Sequence, residues 1–282
     1  MAKLKIAVTG ESTIDLPREL LEQYEITVLP YTIALNSEEF TDGDISNEEF
    51  FKLINAAGTL PKTQAINQFR YEEFFRETLK THDAIIHFCL SSGLSSSCNN
   101  ATVASKNFEN VHVVDSLALS TGIALLAFKA VEAVREGKEF EDIVKYIDKL
   151  IPTVQTSFLI EKTNYLYKGG RCSLLSFIAA SVLNIKPQIV MKNGKLEPGK
   201  KYRGSYEKSI IKYVEDTLEE FKNPDLDLVF ITCTTSPQEV IDQIECILKE
   251  RGFKNIYKTR AGCTISSHCG PNTLGILYFN KN

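Results

Sequence analysis

The chain carries no excess of cationic side chains: 32 Lys and Arg stand against 36 Asp and Glu, a net charge of −4. A general nucleic-acid binder needs surplus Lys and Arg to displace counterions, so that class is excluded. The seven cysteines form no C-x-x-C pair, and Cys263, His268 and Cys269 lack zinc-ligand spacing, so no metal is expected. Odd in number, the cysteines are scattered and several lie inside apolar runs, where a free thiol packs as a small hydrophobe. A reducing, cytoplasmic compartment is the expectation. Long hydrophobic runs are missing too. The most apolar stretch, Leu117–Ala130, is interrupted by Ser120, Thr121, Gly122 and Lys129, which makes it too polar to span a bilayer. The opening apolar run is too short for a secretory signal and meets acidic residues at once. Finally, the chain has no G-x-G pair, no G-x-x-x-x-G-K-[ST] loop and no G-x-S-x-G elbow. The usual dinucleotide and phosphate cradles, and the usual turn for a nucleophilic serine, are therefore absent.

What is present reads as an ordinary soluble globular protein: 282 residues, 43% hydrophobic and 24% charged. That length suffices for one large or two modest domains with a substantial core. In the first half, short apolar strands (Leu4–Thr9, Ile26–Ala34, Ala84–Leu90, Val111–Val114) alternate with helices (Asn47–Ala56, Phe69–Lys80, Leu119–Glu136). This alternation predicts a doubly wound parallel α/β sheet, with ligands gathering at the strands' carboxyl ends. A first helix is expected to open at Asp15-Leu16-Pro17, with Asp15 as its cap. The second half predicts a smaller α/β domain with a mixed sheet, including an apolar helix at Leu174–Ile185 and a hairpin at Asn193-Gly194. The expected domains are 1–153 and 154–282, with no flexible linker between them and no internal repeat.

Five segments carry chemistry. Ser91–Ser97 ends the buried run Ala84–Leu90 in serines around one glycine. Serines suit such a turn and the cap of the next helix, and converging hydroxyls and N–H groups there suit an anion. A plain capped turn is the alternative. Lys168-Gly-Gly-Arg171 pairs a permissive backbone with a guanidinium fork for carboxylate or phosphate, or is a turn with a solvated Arg. Gly262–Gly275 reads as a hydroxyl- and glycine-rich loop around His268. In Lys62-Thr63-Gln64, Thr63 offers a hydroxyl either to a ligand or to a helix beginning near Asn67. Thr9–Asp15 resembles a phosphate loop only superficially.

Taken in order, these residues resemble the DegV-like fatty-acid-binding family over nearly the whole length. The matching landmarks are Glu11-Ser-Thr-Ile-Asp-Leu-Pro17, Thr41-Asp-Gly-Asp-Ile45, Pro61-Lys-Thr63, Ser91-Ser-Gly-Leu-Ser95, Val114-Asp-Ser116 with Ser120-Thr-Gly122, Leu166-Tyr-Lys-Gly-Gly-Arg171, Ile185-Lys-Pro187, and His268-Cys-Gly-Pro271 with Leu274-Gly275. The resemblance implies two α/β domains holding one long-chain fatty acid between them. It implies no catalysis by the chain itself; a separate ATP-dependent fatty acid kinase subunit phosphorylates the presented carboxylate. On that pattern Thr63, Ser95, Arg171 and His268 bind the carboxylate, with Ser12, Ser96 and Gly170 around the head group. Leu174, Leu175, Phe177, Ile178 and Val182 would line the tail, and Arg203, in Lys200-Lys-Tyr-Arg203, is a candidate for docking the kinase. No cofactor other than the lipid ligand is expected. The chain departs from the pattern at Glu11, where the first motif opens with Asp, at Gln64-Ala65-Ile66 after Thr63, and at Ser96-Ser97-Cys98 after Ser95. An acyl-ester serine hydrolase using Ser95 and His268 is the alternative reading. A stand-alone kinase is a third, disfavoured by the missing phosphate loop.

Overall fold

Three sheets organise the chain in the computed structural model, which describes residues 4–172 and 185–281. The first is parallel, in the order β2-β1-β6-β7, formed by Thr27–Leu29, Ile6–Glu11, Ala84–Cys89 and Val111–Asp115. Its central strand β6 is buried at every residue, as a strand covered by helices on both faces must be. The chain steps from β1 to one side for β2 and to the other for β6 and β7. The carboxyl ends of β1 and β6 therefore flank a switch point, where a crevice opens for ligands. The second sheet has six strands, β10-β9-β8-β13-β11-β12: Lys195–Arg203, Ile185–Lys192, Val154–Leu159, Leu274–Asn280, Pro224–Cys233 and Asn255–Arg260. Only β11 and β12 run parallel within it, so the expected mixed sheet is observed.

The third sheet, β4-β3-β5 (Glu38–Thr41, Thr32–Leu35, Lys62–Gln64), corrects the sequence reading. The stretch Ile26–Ala34, expected as one strand, divides at Pro30 into β2 and β3, which belong to different sheets. Proline supplies no N–H to continue a ladder. Lys62–Gln64 is a strand and not a loop; three residues are too few to show a two-residue period.

Helix α1 (Arg18–Gln23) is capped by Pro17 and not by Asp15. Asp15 adopts a left-handed backbone (φ 54°) and turns its carboxylate elsewhere. Helix α2 (Asn47–Ala57) starts on Ser46, whose hydroxyl accepts from Glu49 N, and stops at Gly58, φ 65°. Asn67 caps α3 (Gln68–Thr78) in the same way, and α4 (Ser97–Ser105) follows β6. Helix α5 (Thr121–Arg135) is unusual in being buried nearly all round. It packs on β1 and β6 from one side and on β8 and β13 from the other, so one apolar cluster runs between the two large sheets. A Cβ on Gly122 would stand 2.7 Å from Thr156 Oγ1, which is why the helix can lie so close to β8. Helices α6 (Phe140–Leu150), α7 (Thr163–Lys168), α8 (Tyr206–Glu220) and α9 (Gln238–Arg251) complete the frame together with α10 (Cys263–Cys269).

Helix α10 lies where the sequence suggests a loop. Its Thr and Ser content argues against a helix, but both serine hydroxyls find partners: Ser267 donates to Cys263 O within the helix (2.7 Å) and Ser266 to Asn47 Oδ1 of α2 (3.1 Å). Its first turn is held from the N-terminal half. Asp15 accepts from Gly262 N (2.7 Å) and Asp42 from Thr264 N (3.2 Å), placing two acidic side chains at the helix's positive end. Asn47 adds two bonds across the same seam, to Thr234 O (2.9 Å) and Ala261 O (2.7 Å). Among the described residues no helix is long and apolar enough to cross a membrane.

Candidate functional site

Four short elements bring their ends together above the switch point. The turn after β6 presents Ser95, β5 presents Thr63, α10 presents His268 at its last turn, and the segment after α7 presents Arg171. All four line one cavity, whose empty space is about 520 Å³ including its mouth. The remaining walls are mainly apolar, among them Leu90, Leu94, Leu119, Leu166, Leu196 and Ile265. Two further polar residues, Tyr31 and Thr264, complete the lining.

Within the polar end, Thr63 Oγ1 lies 3.0 Å from His268 Nε2. Burial, with the nearby Arg171 charge, pulls the His268 pKa down to about 4, so the ring is neutral at neutral pH. Arg171 donates to Gly169 O (2.7 Å) and Leu94 O (3.3 Å). It thereby ties the end of α7 to the serine turn and sets a positive charge at the mouth. Ser95 Oγ receives Ser97 N (3.2 Å), lies 3.0 Å from Ser97 Oγ, and lies 3.3 Å from Tyr31 Oη. Thr264 Oγ1 and His268 Nδ1 are buried polar atoms with no hydrogen-bond partner among the described residues; both residues line the cavity, where a polar ligand could supply one.

Gly169 permits this arrangement. It has helical backbone angles, yet a Cβ there would stand 2.4 Å from His268 Nδ1. Gly169→Ala is expected to displace the imidazole from Thr63 and to cost about 1–3 kcal/mol of stability. In a His268→Ala background the same substitution should cost clearly less, leaving only the Cβ's tight approach to Tyr165 O (3.0 Å). Urea denaturation of the four proteins checks this, and an equal cost in both backgrounds would contradict it.

Other residues expected around the head group stand apart from this cavity. Ser12 accepts from Tyr31 N (3.1 Å), donates to Asp42 (2.8 Å) and lines a different cavity beside Gly262. Ser96 is exposed and makes no side-chain cap; Ser95 caps α4 in its place. Gly170 is exposed with φ 71° and does not line the cavity. Leu174, Leu175, Phe177, Ile178 and Val182, and the helix expected there, lie outside the described residues. Arg203 ends β10, seven positions beyond the lining residue Leu196, or about 20 Å at the usual strand rise. Ser95 and His268 face one space, but each is hydrogen-bonded to other partners.

Sequence reasoning missed Tyr31, Thr264, Leu119 and Ile265. The signal for Tyr31 was Pro30, which marks the strand break that turns the tyrosine inward. Leu119, Ile265 and Cys269 also line a second, narrower space against β8, β11 and β13, whose empty volume is about 330 Å³ with its opening to solvent included.

A parallel and a mixed sheet packed through a shared helix, with an apolar cavity ending in a cluster of hydroxyls, imidazole and guanidinium, define the class of protein. The family model described as "Uncharacterised protein, DegV family" matches residues 5–281, and the chain belongs to the DegV family. It is 31% identical to a DegV domain-containing protein of Caldanaerobacter subterraneus subsp. tengcongensis, over 98% of this chain and 99% of the relative. A Thermotoga maritima protein named as fatty acid-binding is 29% identical, covering 96% of each chain. Among solved structures, DegV of Bacillus subtilis, described as a fatty acid binding protein, aligns with TM-score 0.87 at 26% identity, over 99% of this chain and all of that one.

Proposed function

We propose that this protein binds one long-chain fatty acid, the carboxylate at the polar end of the cavity and the tail in the apolar space between the sheets. The observation that carries this is the convergence of Thr63, Ser95, His268 and Arg171 on one cavity whose remaining walls are mainly apolar. A carboxylate taken from water needs several hydrogen bonds, and those to a charged group are the strong ones. The tail needs only dry surface, and each buried methylene contributes about 0.8 kcal/mol. The tail path runs past Leu119, Ile265 and Cys269 into the second space. The relatives from Thermotoga maritima and Bacillus subtilis, both described as fatty acid-binding, support the ligand class.

On this reading residues 1–153 and 154–282 are two units that grip the lipid, and the chain performs no chemistry itself. Among the described residues no carboxylate bonds His268 Nδ1, which favours a binder over a serine hydrolase. A separate ATP-dependent kinase subunit acts on the presented carboxylate. Arg203 is too far from the cavity to reach the head group, so its part is in docking that partner. Displacement of a fluorescent fatty acid by palmitate tests the binding reading. One saturable site is expected, and Ile265→Trp, which fills the passage, should abolish palmitate binding while sparing octanoate. Equal binding of both acids by the variant would contradict the tail path. With a kinase and ATP, Arg203→Glu should lower acyl-phosphate formation without lowering palmitate affinity.

A further inference from the structure

Beneath the polar end of the cavity lies a carboxyl group that touches no ligand position. Glu11 ends β1 and is fully buried. It accepts from Tyr71 Oη, from Leu90 N (2.8 Å), from Thr13 Oγ1 (3.3 Å) and from Tyr31 Oη (3.2 Å). The same Tyr31 hydroxyl lies 3.3 Å from Ser95 Oγ. Two hydroxyls, both in the cavity wall, thus connect Glu11 to the proposed head-group position.

The direction of those hydrogen bonds depends on Glu11. An ionised carboxylate only accepts, so it draws the Tyr31 proton toward itself and leaves Ser95 facing a lone pair. A proton on Glu11 Oε2 reverses the chain: Glu11 donates to Tyr31, Tyr31 to Ser95, and Ser95 to the ligand. Charge points the same way. Two anions separated by two hydroxyls in a water-poor cavity do not both keep their charge.

We infer that Glu11 is a positioning residue: the bound fatty-acid carboxylate and Glu11 hold one proton between them, through Tyr31 and Ser95. This rests on the fatty-acid reading above. The groups facing Glu11 are Tyr71 from α3, His87 and Cys89 from β6, and Tyr31; Cys98 of α4 stands behind Cys89. Burial holds His87 neutral, with its pKa down at about 3, and pushes the Cys89 thiol and both tyrosines up. Burial also raises the Glu11 carboxyl. A ligand carboxylate two hydroxyls away would push the Glu11 carboxyl further in the same direction as its burial.

Palmitate titration from pH 6 to 9, with calorimetry in two buffers of different ionisation heat, tests the inference. Expected for the unmodified chain are uptake of close to one proton per palmitate at the alkaline end and an affinity that falls up to tenfold per pH unit. Glu11→Gln, neutral at every pH, should remove most of that uptake and bind palmitate at least tenfold more tightly than the unmodified chain at pH 9. Palmitate bound without proton uptake across the range would overturn the proposal, and so would full uptake persisting in Glu11→Gln. The calorimetric result on the unmodified chain stands even if the variant fails to fold. Absence of palmitate binding at any pH would instead refute the fatty-acid reading itself.

Discussion

Phe128→Ala is expected to lower stability by about 3–5 kcal/mol, the range for deleting a buried aromatic ring. Phe128 is 1% exposed at the middle of α5. Its ring stacks on Tyr24 with centroids 3.6 Å apart, and meets Phe230 at 5.7 Å and Tyr257 at 6.3 Å. Tyr24 follows α1 beside the parallel sheet, whereas Phe230 and Tyr257 lie on β11 and β12 of the mixed sheet. The ring therefore joins both halves of the molecule, and its loss removes contacts from each. At about 2–4 °C per kcal/mol for chains somewhat shorter than this one, the melting temperature should fall by roughly 6–20 °C. Thermal and urea unfolding check this. A loss below about 1 kcal/mol would contradict a core shared through α5.

The second large effect is on the ligand. Thr63→Val and Ser95→Ala each remove a hydroxyl from the proposed carboxylate site while nearly keeping side-chain volume. A hydrogen bond to a charged group is worth about 1.5–3 kcal/mol, so each change should weaken palmitate binding roughly 10- to 150-fold. The two hydroxyls share a ligand, so the double variant should fall short of the product of the single effects. A hydrocarbon-tailed ligand without a carboxylate should be affected by neither. Displacement titrations against palmitate and against the matching alcohol check both statements. Unchanged palmitate affinity in both single variants would remove Thr63 and Ser95 from the head-group site.

Much of the frame was legible because it rests on long, periodic segments. The buried run at Ala84–Leu90 and the helix at Leu119–Glu136 appear as β6 and α5 with boundaries shifted by a residue or two. The illegible parts share one physical cause, namely that distant contacts override local preference. Three residues of β5 gain their strand pairing from β3, with Ile33 opposite Thr63. The Ser- and Thr-rich α10 is helical because Asp15, Asp42 and Asn47, more than two hundred positions earlier, hold its first turn and the Ser266 hydroxyl. Asp15 looked like a helix cap, and it does cap a helix, but α10 and not α1.

The candidate site divides along the same line. Thr63, Ser95, Arg171 and His268 each offered a hydroxyl or a basic group in a turn or short connecting segment, and it was the family resemblance that joined them as one candidate head-group set. Tyr31 and Glu11 were not, since their role comes from a hydrogen-bond chain that crosses from β1 to the turn after β6. Ser12 shows the converse: it stands in a conspicuous motif, yet its hydroxyl serves Tyr31 N and Asp42.

Native mass spectrometry of the full chain, first as purified and then after lipid removal and addition of palmitate, tests the central claim most directly. The account predicts a mass increment of one fatty acid per chain, lost on delipidation and restored by palmitate, and strongly reduced in the Thr63→Val, Ser95→Ala double variant. A folded chain that stays empty with palmitate, stearate and shorter acids alike would contradict it.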